Sequence, residues 1–229
     1  YILRWDWDFG DLTGNSNIKD PSYQYNNPGD YNVVLSAYSN KGCVSSINKL
    51  TSVYKLPKID FTITDSVCLG EQVYFTDLSF DYYSNIESWS WGFGDGNFSL
   101  EKNPVHTYNH SSIFNISFEI ESSYGCKNDT LINEYVHVFE SPTADFSASS
   151  FKESELNSRI EFYNTSNDSE YVTWDFGNGM ITNTNNPTIQ YQYVGDYNVT
   201  LTIENNKGCI DSIQKVINIY PEFAFYIPN

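Results

Sequence analysis

Apolar and polar residues alternate along three separate stretches of the chain with a period of two. Trp5, Trp7 and Phe9 share one parity, with Asp6 and Asp8 on the other; Trp89, Trp91 and Phe93, then Val172, Trp174 and Phe176, repeat the arrangement. Further along, Tyr31, Val33 and Leu35 fall together, as do Tyr197, Val199, Leu201 and Ile203. Successive side chains of a strand point to opposite faces, so this pattern predicts half-buried strands. No long stretch carries a helical period. Gly94-Asp95-Gly96 and Gly177-Asn178-Gly179 close two of these strands and predict tight hairpins, because glycine supplies the positive φ they need. The turns Asn40-Lys41-Gly42 and Asn206-Lys207-Gly208 predict a second reversal into a last strand. The expectation is an all-β chain of short strands.

The landmarks recur at a fixed distance. The clusters beginning at Trp7, Trp91 and Trp174 are offset by 84 and 83 residues, and Gly42-Cys43, Gly125-Cys126 and Gly208-Cys209 by 83 each time. Between them stand Pro21, Pro104 and Pro187, followed by Tyr25, Tyr108 and Tyr191, then by Tyr31, Phe114 and Tyr197. Each unit closes on a proline and a phenylalanine four later: Pro57/Phe61, Pro142/Phe146 and Pro221/Phe225. A period this long describes domains with their own cores rather than solenoid turns. The division is a first repeat at 1–58, a middle one at 59–143 and a last one at 144–221, with 222–229 as a linker or the start of another domain. The first repeat lacks the stretch matching Val73-Tyr74-Phe75 and Ile160-Glu161-Phe162. The chain is therefore expected to be a piece of a longer protein whose first sandwich lacks its opening strands.

Composition narrows the partners. Aromatic residues make up 17% of the 229, ample for packed cores, and the net charge of −17 argues against nucleic acid and anionic membranes. No apolar run approaches the roughly 20 residues of a membrane helix.

The ordered set Trp91 to Gly96, Asn103-Pro104-Val105-His106-Thr107-Tyr108, Gly195-Asp196-Tyr197 and Gly208-Cys209 resembles the signature of PKD (polycystin-type) domains. Gly92, Ser112-Ile113-Phe114 and Leu12 depart from it. The resemblance implies tandem immunoglobulin-like β-sandwiches of about seven strands, arranged as a rod. The flavour of the repeats is also similar to Bacteroidetes-type surface proteins exported by the type IX secretion system. In those, a gliding-motility-associated C-terminal sorting domain opens on a phrase like that in Phe225-Tyr226-Ile227-Pro228-Asn229. That likeness implies the type IX machinery as a partner through a following C-terminal domain, and a secreted or cell-surface location. A further repeat is the alternative continuation.

The family resemblance also implies a disulfide between Cys68 and Cys126, formed in an oxidising compartment. Cys43 is then expected to pair within the missing start of its repeat. Glu155 fills the slot matching Cys68 in the last repeat, so Cys209 is expected as a buried thiol or as bonded beyond Asn229.

Candidate sites are few. His106 occupies the place of Tyr23 and Ile189 and is expected to pack; His110 and His137 are isolated, and no Cys/His group has zinc spacing. Asp6, Asp8, Asp95 and Asp175 read as surface and turn residues. Some PKD domains bind calcium ahead of the tryptophan strand, which makes Asp77, Asp81 and Glu87 candidates, although the loop lacks a dense ligand set; no other cofactor is expected. Trp7, Trp91 and Trp174 read as core, whereas the unrepeated Phe80, Tyr82 and Tyr83 are candidates for contact with a glycan. Asp65-Ser66-Val67, Asp129-Thr130-Leu131 and Asp211-Ser212-Ile213 resemble O-glycosylation sites of such bacteria, at Ser66, Thr130 and Ser212. No nucleophile–base pair or phosphate loop points to an enzyme. The expected function is a non-catalytic stalk in an adhesin or large exported protein, meeting surface glycans or other surface proteins. The alternative is a carbohydrate-binding module accompanying a polysaccharide-degrading enzyme.

Overall fold

A computed structural model describes residues 1–222. Apart from a 3-10 turn at Glu155–Asn157, every regular element among them is a strand. Two compact units are distinguished: residues 1–64, 74–106 and 115–135 form one, and 65–73, 107–114 and 136 onward the other. The Pro221/Phe225 landmark and the Phe225–Asn229 phrase fall wholly or partly outside the described residues.

The middle and last repeats share one topology. In the middle repeat Gln72–Asp77 lies between Phe61–Ile63 and Val105–Thr107 in a three-stranded sheet. The five-stranded sheet runs in the order Ser66–Cys68, Lys127–Phe139, Ser112–Ser122, Ile86–Gly92, Phe98–Ser99. In the last repeat Arg159–Asn164 is central to the small sheet, and the large one runs Lys152–Ser154, Ile210–Tyr220, Gly195–Glu204, Tyr171–Asp175, Ile181–Thr182. The first strand of each large sheet runs parallel to its neighbour, whereas Ile86–Gly92 is antiparallel to Ser112–Ser122 and Phe98–Ser99, and Gly195–Glu204 is antiparallel to Tyr171–Asp175 and Ile210–Tyr220.

The alternation read from the sequence puts one aromatic layer inside each sandwich. Trp91 is fully buried and stacks on Phe118 at 3.6 Å, with Phe61 and Phe75 edge-on at 5.5 and 5.4 Å. Trp174 is equally buried, with Phe146, Phe162 and Phe176 at 5.0, 5.5 and 6.0 Å. Edge-to-face and offset contacts of this kind add to the transfer energy of the buried rings. The recurrent tyrosine positions lock the next strand: Tyr25–Tyr31, Tyr108–Phe114 and Tyr191–Tyr197 lie 4.1, 4.1 and 4.2 Å apart. Two of these hydroxyls also close the tryptophan hairpin, Tyr25 donating to the Phe9 carbonyl and Tyr191 to that of Phe176.

Among the described residues the first repeat contributes a single sheet, in the order Asn15–Ser16, Ile2–Asp8, Gly29–Ser39, Val44–Val53. Residues 22–24, which match the strands Val105–Thr107 and Thr188–Gln190, form no strand. Those two strands pair with the central strand of the small sheet, and the first repeat offers no such partner among the described residues. Trp7 is consequently only half-buried, Ile47 and Leu50 are exposed, and an open hollow of about 290 Å³ is lined by Trp7, Val33, Leu35, Ile47 and Thr51.

The hairpin glycines carry the φ values expected of them, +83° at Gly94 and +70° at Gly177. A Cβ on Gly94 would sit 2.3 Å from the Asn115 carbonyl oxygen. Leu12, where the other repeats have a second glycine, is held at φ +70° and is fully exposed. Gly94→Ala should therefore destabilise the protein by about 2–4 kcal/mol, combining left-handed strain with the backbone clash. Leu12→Gly should instead stabilise the first repeat by about 0.5–1 kcal/mol, because the strain outweighs the extra chain entropy. Urea unfolding followed by tryptophan fluorescence measures both.

Candidate functional site

Most of the built chemistry lies around the segment that leads from the middle repeat into the last. The strand Ser66–Cys68 pairs in parallel with His137–Phe139, which sets Cys68 opposite Phe139 at the very end of a thirteen-residue strand. The Leu69 amide donates to the Phe139 carbonyl, the His137 amide to that of Asp65, and Ser141 Oγ to that of Leu69. Cys68 is thereby carried to Cys209, with which it forms a disulfide, Cα–Cα 5.6 Å across a sequence separation of 141.

This pairing corrects the expectation of a Cys68–Cys126 bond, and equally that of Cys209 as a free thiol or as bonded beyond Asn229. Cys126 immediately precedes the strand whose far end faces Cys68, so about 40 Å of extended backbone separates the two positions. A disulfide spans only about 4.4–6.8 Å between Cα atoms. Cys43 and Cys126 are free among the described residues, the first exposed and the second half-buried. The sequence held one clue: the last repeat keeps its glycine–cysteine pair while lacking an early cysteine, so any partner of Cys209 had to come from outside its own repeat.

Asn205 organises the receiving turn. It is buried, its Oδ1 accepts from the amides of Lys207 and Cys209, both at 3.0 Å, and its Nδ2 donates to the Glu140 carbonyl and Asp168 Oδ2 at 3.1 and 2.9 Å. Every polar valence of the amide is used, as a buried asparagine requires. The Ala144 amide donates to Asp211 Oδ2, and Lys207 lies 5.5 Å above the Phe139 ring. The matching positions in the first unit use other chemistry: Tyr54 stacks on Tyr124 at 4.2 Å, and Asn128 Nδ2 donates to the Pro57 carbonyl at 2.9 Å.

Two of the three calcium candidates, Asp77 and Asp81, share one groove, and Glu87 lies outside it. Asp77 is buried and spends both oxygens, accepting from the Ser79 amide and from Trp89 Nε1, each at 2.8 Å, with Lys102 Nζ 3.9 Å away. Asp81 Oδ1 accepts from the amides of Tyr83 and Ser84. Both line a groove of about 450 Å³ with Trp89 and Lys102, whereas Glu87 is not among its lining residues. Among the described residues no group of three or more His, Cys, Asp or Glu comes together to hold a metal ion.

The glycan candidates are about half exposed but do not form a flat platform. Phe80 and Tyr82 meet at 70°, Lys55 Nζ sits 4.3 Å over Tyr82, and Lys58 Nζ 5.6 Å over Phe80. Tyr83 packs against Tyr54 at 5.9 Å. Of the O-glycosylation candidates, Ser66 and Ser212 are exposed and Thr130 is half-buried, all three on strands.

His106 stacks on Phe93 at 4.2 Å and shares a 2.8 Å hydrogen bond with Asp95. Tyr23 makes the same pair of contacts in the first repeat, stacking on Phe9 at 4.0 Å and donating its hydroxyl to Asp11. That hydroxyl, with the Gly14 amide, holds the Asp11 carboxyl down at about 2. Desolvation pushes Asp95 up, but the backbone and side-chain N–H groups of Asn97 and then His106 bring it below the usual carboxylate value.

A family profile described as PKD domain matches residues 1–53, 54–138 and 140–219. Over 60 residues the chain is 42% identical to the pre-pro-metalloprotease PrtV of Vibrio cholerae serotype O1, an alignment covering 24% of this chain and 6% of that protein. The chain thus spans only a small part of the protease. Among solved structures, the PKD1 domain of Vibrio anguillarum Epp matches at 24% identity and a TM-score of 0.34, covering 38% of this chain and all of its own. The PKD1 domain of the Vibrio cholerae metalloprotease PrtV matches at 24% and 0.33, covering 36% and 99%.

Three outcomes follow from these contacts. A tryptic map of the oxidised protein should join Cys68 to Cys209, and reduction should lower stability by about 3–5 kcal/mol in denaturant titrations, given the length of the closed loop. Asn205→Ala should cost about 2 kcal/mol, since it leaves the Cys209 and Lys207 amides without their acceptor. A carboxyl with a lowered folded pKa contributes stability above about pH 4 and loses it as pH falls through the folded value. Asp95→Asn should accordingly flatten the acid limb of a melting-temperature profile between pH 6 and pH 2.

Proposed function

The chain belongs to the PKD domain family, and on that premise we propose that it is a non-catalytic extracellular spacer array within a larger secreted or cell-surface protein. The observation that carries this reading is the covalent bond from the middle repeat to the last, made at residues that border the connecting segment. The linkers Leu56-Pro57-Lys58 and Ser141-Pro142-Thr143 are short and stiffened by proline, which limits swinging. Turn carboxylates accept from backbone amides, as Asp8, Asp95 and Asp175 do, which is a structural use that suits a spacer. Among the described residues no helix is long and apolar enough to cross a membrane.

Sandwich strands of about ten residues make each repeat roughly 30–40 Å long, so three in line would hold a neighbouring domain on the order of 100 Å from its anchor. Small-angle scattering should give a radius of gyration well above the roughly 17 Å of a compact 229-residue body; a value near that figure would overturn the spacer. The finer assignment is an adhesin or gliding-motility-associated protein exported by the type IX machinery through a following sorting domain. It rests on the Phe225–Asn229 phrase and is checked by whether the full-length protein stays periplasmic in cells lacking that machinery. Glycan-array binding abolished by Tyr82→Ala and Tyr83→Ala would replace the spacer with a carbohydrate-binding module; the lysines over Phe80 and Tyr82 favour no binding.

A further inference from the structure

We propose that the Cys68–Cys209 disulfide is a covalent load bypass, which takes the cores of two successive repeats out of the path of tension along the chain. The bond's use in the cell rests on the spacer reading; its effect on a pulled chain does not.

Tension follows the shortest covalent route between two points of pull. With the bond in place that route runs from Cys68 directly to Cys209, and residues 69–208 hang as a side loop whose ends are 5.6 Å apart. The loop contains every strand from Gln72–Asp77 to Gly195–Glu204. It therefore holds Trp91, Phe118, Phe146 and Trp174, the rings on which both interiors are built. What remains under load in the middle repeat is Phe61–Ile63 and Ser66–Cys68, and in the last repeat only Ile210–Tyr220.

Position makes the device effective. Had Cys68 been joined to Cys126, the last repeat would stay wholly in the load path. Joining it instead to the turn before Ile210–Tyr220 protects nearly all of both repeats with one bond. The bond is also sheltered: Cys209 is fully buried and Cys68 half-buried, and the Cys209 amide is fixed on Asn205 Oδ1. The first repeat has no such bond among the described residues, since Cys43 and Cys126 are free. Under load the first repeat is the extensible element and the next two are locked.

The test is single-molecule force spectroscopy on the 229-residue chain held by its ends. Oxidised protein should release only the contour outside the loop. Dithiothreitol supplies two electrons and two protons to the disulfide, giving two thiols and closing into its own cyclic disulfide. After that treatment the total contour should grow by roughly 480 Å, at about 3.3–3.6 Å for each of the 141 steps. Cys209→Ser should show the same gain without reductant, and reduction of the unaltered chain stands in should that variant fold poorly. Equal contour before and after reduction overturns the bypass, and so does a gain of roughly 200 Å, which would mark a bond from Cys68 to Cys126. A compact scattering profile with the full gain would sink the spacer and leave the bypass; an extended profile with no gain would do the reverse.

Discussion

The interior layer of aromatic rings is the constraint on which the rest of this molecule rests. A strand with Trp91 on one face gains little until a second sheet closes over it, and then gains several kcal/mol from a single buried indole. The hairpin glycines, the tyrosines that close the turn carbonyls and the order of strands within each sheet all serve to bring that second surface into place. Turn chemistry is subordinate to it: Gly94 is needed because the chain must reverse within van der Waals reach of Asn115, at the edge of the packed layer.

The first repeat shows the same constraint from the other side. It has the tryptophan, the turn and the tyrosine pair, yet only one sheet among the described residues, and Trp7 stays half-exposed above an open hollow. Residues 22–24 do not pair, although their counterparts do, because a strand without a neighbour has no ladder to join. Local sequence sets an inclination to be a strand; the partner decides whether one forms.

Polar chemistry in this fold is spent on construction. Asp77, Asp81, Asp95 and Asp211 each accept from backbone or side-chain N–H groups, and Asn205 uses all of its hydrogen-bonding capacity to hold the turn at Cys209. Two repeats are thereby tied together by a disulfide and a saturated amide at one place. The chain is built of PKD domains, and over 60 residues it is similar to a Vibrio metalloprotease.

The period-two alternation, the 83-residue offsets and the glycine turns are local properties, so the all-β class, the repetition and the buried identities of Trp91 and Trp174 were legible from the chain alone. His106 as a packing residue was legible too, from its register with Tyr23 and Ile189, but its bond to Asp95 depends on the hairpin and a second strand meeting in space. The disulfide was not legible. Sequence shows that Cys68 is early and Cys126 late in one repeat; only the parallel pairing of Ser66–Cys68 with His137–Phe139 reveals that early residue to stand at the exit of its sandwich. What alternation and spacing determine is which face of each strand seeks cover. Which cysteine meets which is decided by long-range strand order, because a covalent link answers to distances of a few ångströms that no spacing along the chain encodes.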